Sequence, residues 1–292
     1  MRISIVTLNY NGSGETLKLL KSLQEQSDKN FEIIVVDNAS EEADFATLQN
    51  GINKLVNITT SHVVIVRNSE NLVFSEGNNI GIRQALQNGA NWVVLLNNDT
   101  WVEEGFIERL KAVLSVKNGI VGIPLIEGDQ TAYCGKIQWL KPTLIHIPTR
   151  QVGYQQIYAI GGAMALSKEV FEKIGLLDEK YFLYFEDADF SVRTRRAGFD
   201  ISIADNLSVH HHISSTTKKL GSPLLLRYHY RNALYFNREN GPWYIKLLVW
   251  PWSWIIIVKQ LAKLIMKKNV DQSRAILAGV TDFYKNKMGK IR

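Results

Sequence analysis

Three stretches of the chain carry acids that could do chemistry. Val93-Val94-Leu95-Leu96-Asn97-Asn98-Asp99 runs four apolar residues into three polar ones. The apolar part reads as a strand buried on both faces. It delivers Asn97, Asn98 and Asp99 to the carboxyl edge of a sheet, where open α/β sheets bind ligands; ordinary turn residues fit the same pattern. Residues 31–36 do the same for Asp37, which could accept hydrogen bonds from a base or ribose, or cap the next helix. Tyr181-Phe182-Leu183-Tyr184-Phe185 then leads into Glu186, Asp187 and Asp189. Asp189 and Arg193 are spaced to pair on a helix surface. Glu186 and Asp187, crowded behind aromatics, suit general-base work, because desolvation raises a carboxyl pKa. His210, His211 and His212 are consecutive and cannot all face one ion, but one of them at a strand end could complete a metal site with a carboxylate.

Positioning these groups takes alternating strands and helices. Apolar strands over 3–7, 31–36, 62–66 and 93–96 alternate with helical patterns, such as the Leu17, Leu20, Leu23 stripe. Four β-α units over residues 1–117 predict a parallel, doubly wound sheet with Asp37 and Asp99 on one edge. Ser13, Ser40 and Ser167 stand where helix caps are expected. Thr100 and Glu103 have capping-box spacing, which predicts a helix directly after Asp99. Gly12-Ser13-Gly14 lacks the third glycine of a dinucleotide fingerprint, since position 17 is Leu. The polar loop from Asn71 to Gly81 leads into a helix ending near Ala90. Residues 119–158 are loosely patterned and predict a mixed-sheet extension. Gly161-Gly162 invites close approach of backbone to a ligand or another strand.

Composition narrows the partners. With 46% hydrophobic residues over 292 positions, the chain can bury a sizeable core. One cysteine, Cys134, rules out an internal disulfide and fits a reducing compartment. The N-terminus enters a strand without a signal-peptide layout. A net charge of +6 favours an anionic partner, yet the basic residues are dispersed and no nucleic-acid motif is present. Near the C-terminus, Trp243, Trp250, Trp252 and Trp254 are interleaved with aliphatics, Lys246, Lys259, Lys263, Lys267 and Lys268. Pro251 is expected to break this segment, and its uncharged part, 247–258, is too short to span a bilayer. The pattern suits an interfacial helix on an anionic leaflet; packing on the rest of the chain or a homodimer contact are the alternatives.

Taken in order, a set of motifs resembles the family 2 glycosyltransferases of the GT-A fold, nearest their bacterial rhamnosyltransferase-like branch. These motifs are Leu8-Asn9-Tyr10-Asn11, Val35-Val36-Asp37-Asn38-Ala39-Ser40, Asn71 through Gly81, Leu95-Leu96-Asn97-Asn98-Asp99, Gly161-Gly162, Glu186-Asp187-Ala188-Asp189, His211 with Ser214-Ser215, Arg231-Asn232, and Arg274-Ala275-Ile276-Leu277-Ala278-Gly279 with Gly289-Lys290. The resemblance spans nearly the whole chain. It implies an α/β GT-A fold, with a doubly wound, mostly parallel sheet, a mixed-sheet acceptor part and a C-terminal helical extension. The implied division is a catalytic domain over 1–215, with a nucleotide-binding half (1–117) and an acceptor half (118–215), then a helical region over 216–292. By resemblance, Asp187 is the catalytic base with Glu186 beside it. Asn9, Tyr10, Asp37, Asn71, Asn79, Asn97, Asn98 and Gly162 surround the nucleotide sugar. Asp99 and His211 hold Mn²⁺ or Mg²⁺, with His210 or His212 as alternatives to His211; Asn97 replaces the first acid of the family's Asp-X-Asp. The implied reaction inverts the anomeric carbon and moves a sugar, L-rhamnose from dTDP-rhamnose foremost, to a saccharide acceptor in cell-surface polysaccharide synthesis. That acceptor is expected to be lipid-linked and at the cytoplasmic face of the membrane. A UDP-hexose or UDP-N-acetylhexosamine transferase, and a non-catalytic nucleotide-sugar-binding scaffold at the membrane, are the competing expectations.

Overall fold

The computed structural model describes residues 1–56, 62–149, 156–211 and 222–291. The first half is the expected alternation: β1 (Ile3–Asn9), α1 (Ser13–Gln24), β2 (Glu32–Asp37), α2 (Glu42–Val56), β3 (His62–Arg67), α3 (Val73–Gln87) and β4 (Trp92–Leu96). Next come β5 (Thr100–Trp101), α4 (Phe106–Leu114), β6 (Gly119–Gly122), β7 (Leu125–Glu127), β8 (Gln130–Ala132), β9 (Cys134–Lys136), β10 (Ile145–Ile147), β11 (Ile157–Tyr158) and β12 (Ala163–Ser167). The chain ends with α5 (Lys168–Ile174), α6 (Glu186–Arg196), β13 (Asp200–Ile203), β14 (Val209–His211), α7 (Pro223–Asn240), α8 (Trp243–Ile265) and α9 (Val270–Tyr284).

The central sheet runs β13-β6-β12-β4-β1-β2-β3. β1, β2, β3 and β4 are mutually parallel, and β12 lies antiparallel between β4 and β6. Successive strand side chains point to opposite faces, so one strand serves two cores. Ile3, Ile5, Val94 and Leu96 pack with Leu19, Leu20, Phe106 and Leu110 of α1 and α4. Val6, Val93 and Leu95 pack with Ile82, Phe171 and Phe190 of α3, α5 and α6. Strands β1, β2 and β4 are therefore buried almost throughout, and their polar C-terminal residues emerge together on one edge. A third cluster, including Tyr181, Phe185, Phe236, Val249 and Phe283, ties the C-terminal helices to the approach to α6.

Three local expectations are corrected. Thr100 does not cap a helix; it forms β5 and pairs with His211 of β14. The helix begins later, at Phe106, after Gly105 at φ +74°, and the distant Gln26 caps it by accepting from the Phe106 N–H at 2.8 Å. Pro251 does not break the C-terminal segment; it lies inside the 23-residue α8. Asp189 and Arg193 pair at 2.7 Å, but with Asp189 buried rather than on the surface.

Candidate active site

Asp99 meets His211 because β5 replaces a helix start. Asn97 N–H donates to Gly162 O at 2.9 Å, and Thr100 Oγ1 donates to Asn97 O at 2.6 Å, which turns the chain out of β4 into β5. Pairing of β5 with β14 then sets His211 Nε2 3.3 Å from Asp99 Oδ1. The other ring nitrogen, Nδ1, lies 2.6 Å from Glu127 Oε1 of β7. Burial works against a charged His211, but Asp99 and Glu127 outweigh it and raise its pKa. Asp99 Oδ1 is buried and, apart from the 3.3 Å contact with His211 Nε2, has no hydrogen-bond partner among the described residues. An orphaned carboxylate oxygen beside an imidazole nitrogen fits a divalent cation, and a carboxylate on the far nitrogen is the usual support of a ligating histidine. Among the described residues no three acids, histidines or cysteines converge as an ion cage, so substrate oxygens would complete the coordination. His210 turns away, stacked on Trp101 at 3.8 Å and bonded to Glu103. His212 lies outside the described residues.

Asp99 faces a cleft of about 660 Å³. Asn97, Asn98, Gly162, Tyr10 and Asn71 line it. A Cβ on Gly162 would come 3.1 Å from the Asn97 amide, so the glycine lets β12 approach that turn. Asn9, Asp37 and Asn79, also expected around a nucleotide sugar, do not line the cleft. Asn9 Nδ2 donates to Asp37 Oδ1, Ser40 Oγ and Asp44 Oδ2 at 2.9–3.0 Å. Asp37 is fully buried behind the wall and also faces Arg67 at 3.6 Å. Asn79 is bonded to the Leu177 backbone through both amide atoms. These three residues build the scaffold. Asn38, beside Asp37, is the residue that reaches the cleft; it accepts from Asn68 and Leu72 and donates to Val73 O, holding the loop before α3.

Glu186 and Asp187 line the same cleft from the first turn of α6. Asp187 Oδ2 accepts from Gly161 N–H at 3.0 Å and Oδ1 from Ala188 N–H at 2.7 Å. Burial pushes the Asp187 carboxyl up despite these bonds. Glu186 is raised well above its ordinary value, by burial first and by the neighbouring Asp187 charge second. The chain enters this turn under strain: Tyr184 and Phe185 both have positive φ, +71° and +77°, each costing on the order of 1–3 kcal/mol unless its surroundings enforce it. The buried Asn232 of α7 supplies that enforcement, donating to Leu183 O at 2.8 Å and Tyr184 O at 3.1 Å. Arg231 orients Asn232 through its Oδ1 at 2.9 Å and is itself bonded to the carbonyls of Lys287 and Gly289. The C-terminal tail thus reaches the acid pair through two residues. Sequence reading missed Asn38, Glu127 and His229 on the cleft wall. Asn38 sat in a quoted motif, His229 in a basic aromatic run, and Glu127 in a stretch without pattern.

The glycosyl transferase family 2 pattern matches residues 4–175, more than half of the chain. The chain belongs to glycosyl transferase family 2. It is 27% identical over 249 residues to the dTDP-rhamnosyl transferase RfbF of Shigella flexneri, covering 82% of this chain and 80% of that one. It is 21% identical over 280 residues to an N-acetylglucosaminyl-diphospho-decaprenol L-rhamnosyltransferase of Mycobacterium tuberculosis, covering 85% and 88%. Among solved structures it is similar to S. aureus TarS 1-349 in complex with UDP-GlcNAc, with TM-score 0.59, 14% identity, and 100% and 93% coverage. It is also similar to the mannosyltransferase PcManGT of Pyrobaculum calidifontis in complex with GDP-Man and Mn²⁺, with TM-score 0.58, 12% identity, and 98% and 88% coverage. The fold is therefore GT-A, a mixed α/β sheet with C-terminal helices, and this family 2 member is a glycosyltransferase.

Proposed function

We propose that this glycosyltransferase inverts the anomeric carbon of its donor and that L-rhamnose, from dTDP-rhamnose, is the sugar moved. The observation that carries the reading is that Asp99 and Asp187, 88 positions apart in sequence, line one cleft from two different elements. Asp187 takes the proton from an acceptor hydroxyl as that oxygen attacks the anomeric carbon and the bond to the diphosphate breaks. Attack opposite the leaving group inverts the centre. A leaving diphosphate needs no protonating acid, so a second carboxyl of the glycosidase kind is not required. Asp99 and His211 would hold Mn²⁺ or Mg²⁺, which supplies charge neutralisation at the departing diphosphate. Tyr10, Asn38, Asn71, Asn97 and Asn98 wall the nucleotide side, and Asp37 braces it from behind. The dTDP-rhamnosyl transferase relative supports the rhamnose donor; the UDP-GlcNAc complex of TarS supports a UDP-linked sugar as the second reading.

The acceptor is a saccharide, lipid-linked at the cytoplasmic leaflet, and α8 rests on that surface. Residues 1–215 form the catalytic unit and 216–292 the helical one, with the junction outside the described residues. Helix α8 is long and apolar enough to cross a membrane by length and composition. Its Val249, Ser253, Ile256 and Gln260 are buried against the protein, while Trp243, Leu247, Trp254, Val258 and Ile265 are exposed beside Lys246 and Lys259. One face held by protein and one apolar face fringed by lysine support surface association rather than crossing. Incubating the protein with dTDP-rhamnose and UDP-sugars, Mn²⁺ and a lipid extract tests the reading. Nucleoside diphosphate release fastest from dTDP-rhamnose is the expected result. Release from UDP-sugars alone selects the second reading, and release from no donor rejects transfer in favour of the scaffold.

A further inference from the structure

Two buried groups on the cleft wall have no role in the chemistry above and carry polar atoms without a hydrogen-bond partner among the described residues. His229 is 5% exposed, and neither ring nitrogen has a hydrogen-bond partner. Glu186 is 7% exposed, and its Oε2 has none. Both line the cleft. Their placement is not loose. The His229 ring stacks on Tyr184 at 4.0 Å and 13°, Tyr184 immediately precedes the Phe185 that caps α6, and Asn232 grips the Tyr184 carbonyl. One set of contacts therefore fixes the imidazole and the acid pair together.

We propose that His229 and Glu186 form the acceptor-sugar subsite and select a neutral pyranose through two of its ring hydroxyls; this rests on the transferase reading. Each group has hydrogen-bonding capacity that the fold leaves unused. Burial lowers the His229 pKa to about 4, so the ring is neutral and offers one N–H donor and one nitrogen acceptor. Glu186 is raised well above its ordinary value by burial; its unpartnered Oε2 can accept from a hydroxyl, and donates to one when the carboxyl holds a proton. A sugar hydroxyl also donates and accepts, so it satisfies either group. Neither His229 nor Glu186 brings a positive charge, so the pair suits a neutral hydroxyl better than a phosphate or carboxylate. The subsite is next to Asp187, where the attacking hydroxyl has to be.

The test uses the full chain with Mn²⁺ and dTDP or UDP, and octyl glycosides of rhamnose, glucose, galactose and N-acetylglucosamine as probes. Histidine imidazole NMR on ¹³C-labelled protein, with His229 assigned by loss of its signals in His229→Phe, reads binding without turnover. At least one probe should shift the His229 signals. His229→Phe, which preserves the stack on Tyr184, should weaken that probe about tenfold without a parallel fall in nucleotide affinity. Glu186→Leu should weaken it similarly, and Glu186→Gln, with neutral donor and acceptor atoms, should restore it. No shift from any probe, or nucleotide affinity falling in step with probe affinity, overturns the subsite. Absence of nucleoside diphosphate release from every donor would instead reject the transferase reading, while the imidazole shift still reports sugar binding.

Discussion

Buried polar atoms behind one wall of the cleft are paired, while several on the other wall are not. Behind the wall that carries Tyr10 and Asn38, Asn9, Asp37, Ser40 and Asp44 are bonded to one another. The Asp44 carboxylate is held below its usual range because hydrogen bonds from Asn9 and Ser13 outweigh its burial. On the wall formed by α6 and α7, Glu186 Oε2 and both nitrogens of His229 have no hydrogen-bond partner among the described residues. At the junction between the walls, Asp99 Oδ1 is buried with His211 Nε2 at 3.3 Å beside it. An unpaired buried group costs on the order of 1–3 kcal/mol, and the fold carries several of them in one place. Paired groups hold the sheet edge in shape; unpaired ones are where a substrate finds unused bonding capacity.

Substitutions can break or sharpen that contrast. Asp187→Asn should lower kcat by about 10²–10⁴-fold with nucleotide affinity retained, read by nucleoside diphosphate release and by calorimetry. Asn232→Ala removes the two bonds that hold the strained Tyr184 turn. It should lower kcat by up to about 10²-fold while the donor KM changes little, a split that mere destabilisation would not give. Asn9→Ala strands Asp37, Ser40 and Asp44 without their shared donor and should cost about 1–3 kcal/mol in urea unfolding. A larger loss of kcat than Asn232→Ala shows would move Asn9 back into the substrate site.

The smallest effect is a pH dependence. Glu186 has a folded pKa raised above its ordinary 4.5. Its contribution to stability is complete below that unfolded value and is lost as pH climbs from there through the raised folded value. Glu186→Gln cannot ionise, so its melting temperature relative to wild type should improve as pH rises above about 4.5. An unchanged difference across that window would mean Glu186 is not buried as a neutral acid.

Much of this was legible from local pattern. The four parallel strands, the edge that presents Asn97, Asn98 and Asp99, and the start of α6 at Glu186 follow from apolar runs ending in polar residues. What pattern could not separate was a polar residue facing the cleft from one facing inward. Asn9 and Asn79 stand in motifs as plainly as Asn71 does, yet Asn9 bonds Asp37 and Asn79 bonds Leu177. The meeting of Asp99 with His211 depends on β5 pairing with β14 across more than a hundred positions, and Thr100 with Glu103 locally spelled a helix cap instead. Likewise the link from Gly289 through Arg231 and Asn232 to Tyr184 joins three distant segments, and no spacing rule encodes it.

The central claim is that Asp99 and Asp187 serve one sugar transfer in a single cleft, Asp99 at the donor diphosphate and Asp187 at the acceptor hydroxyl. A crystal structure with dTDP and Mn²⁺ bound tests it most directly. The account predicts the cation on Asp99 and His211 Nε2, the diphosphate against it, and open space between the outer phosphate and Asp187 large enough for a pyranose. Nucleotide bound outside the cleft, or a cation that ignores Asp99, would contradict it.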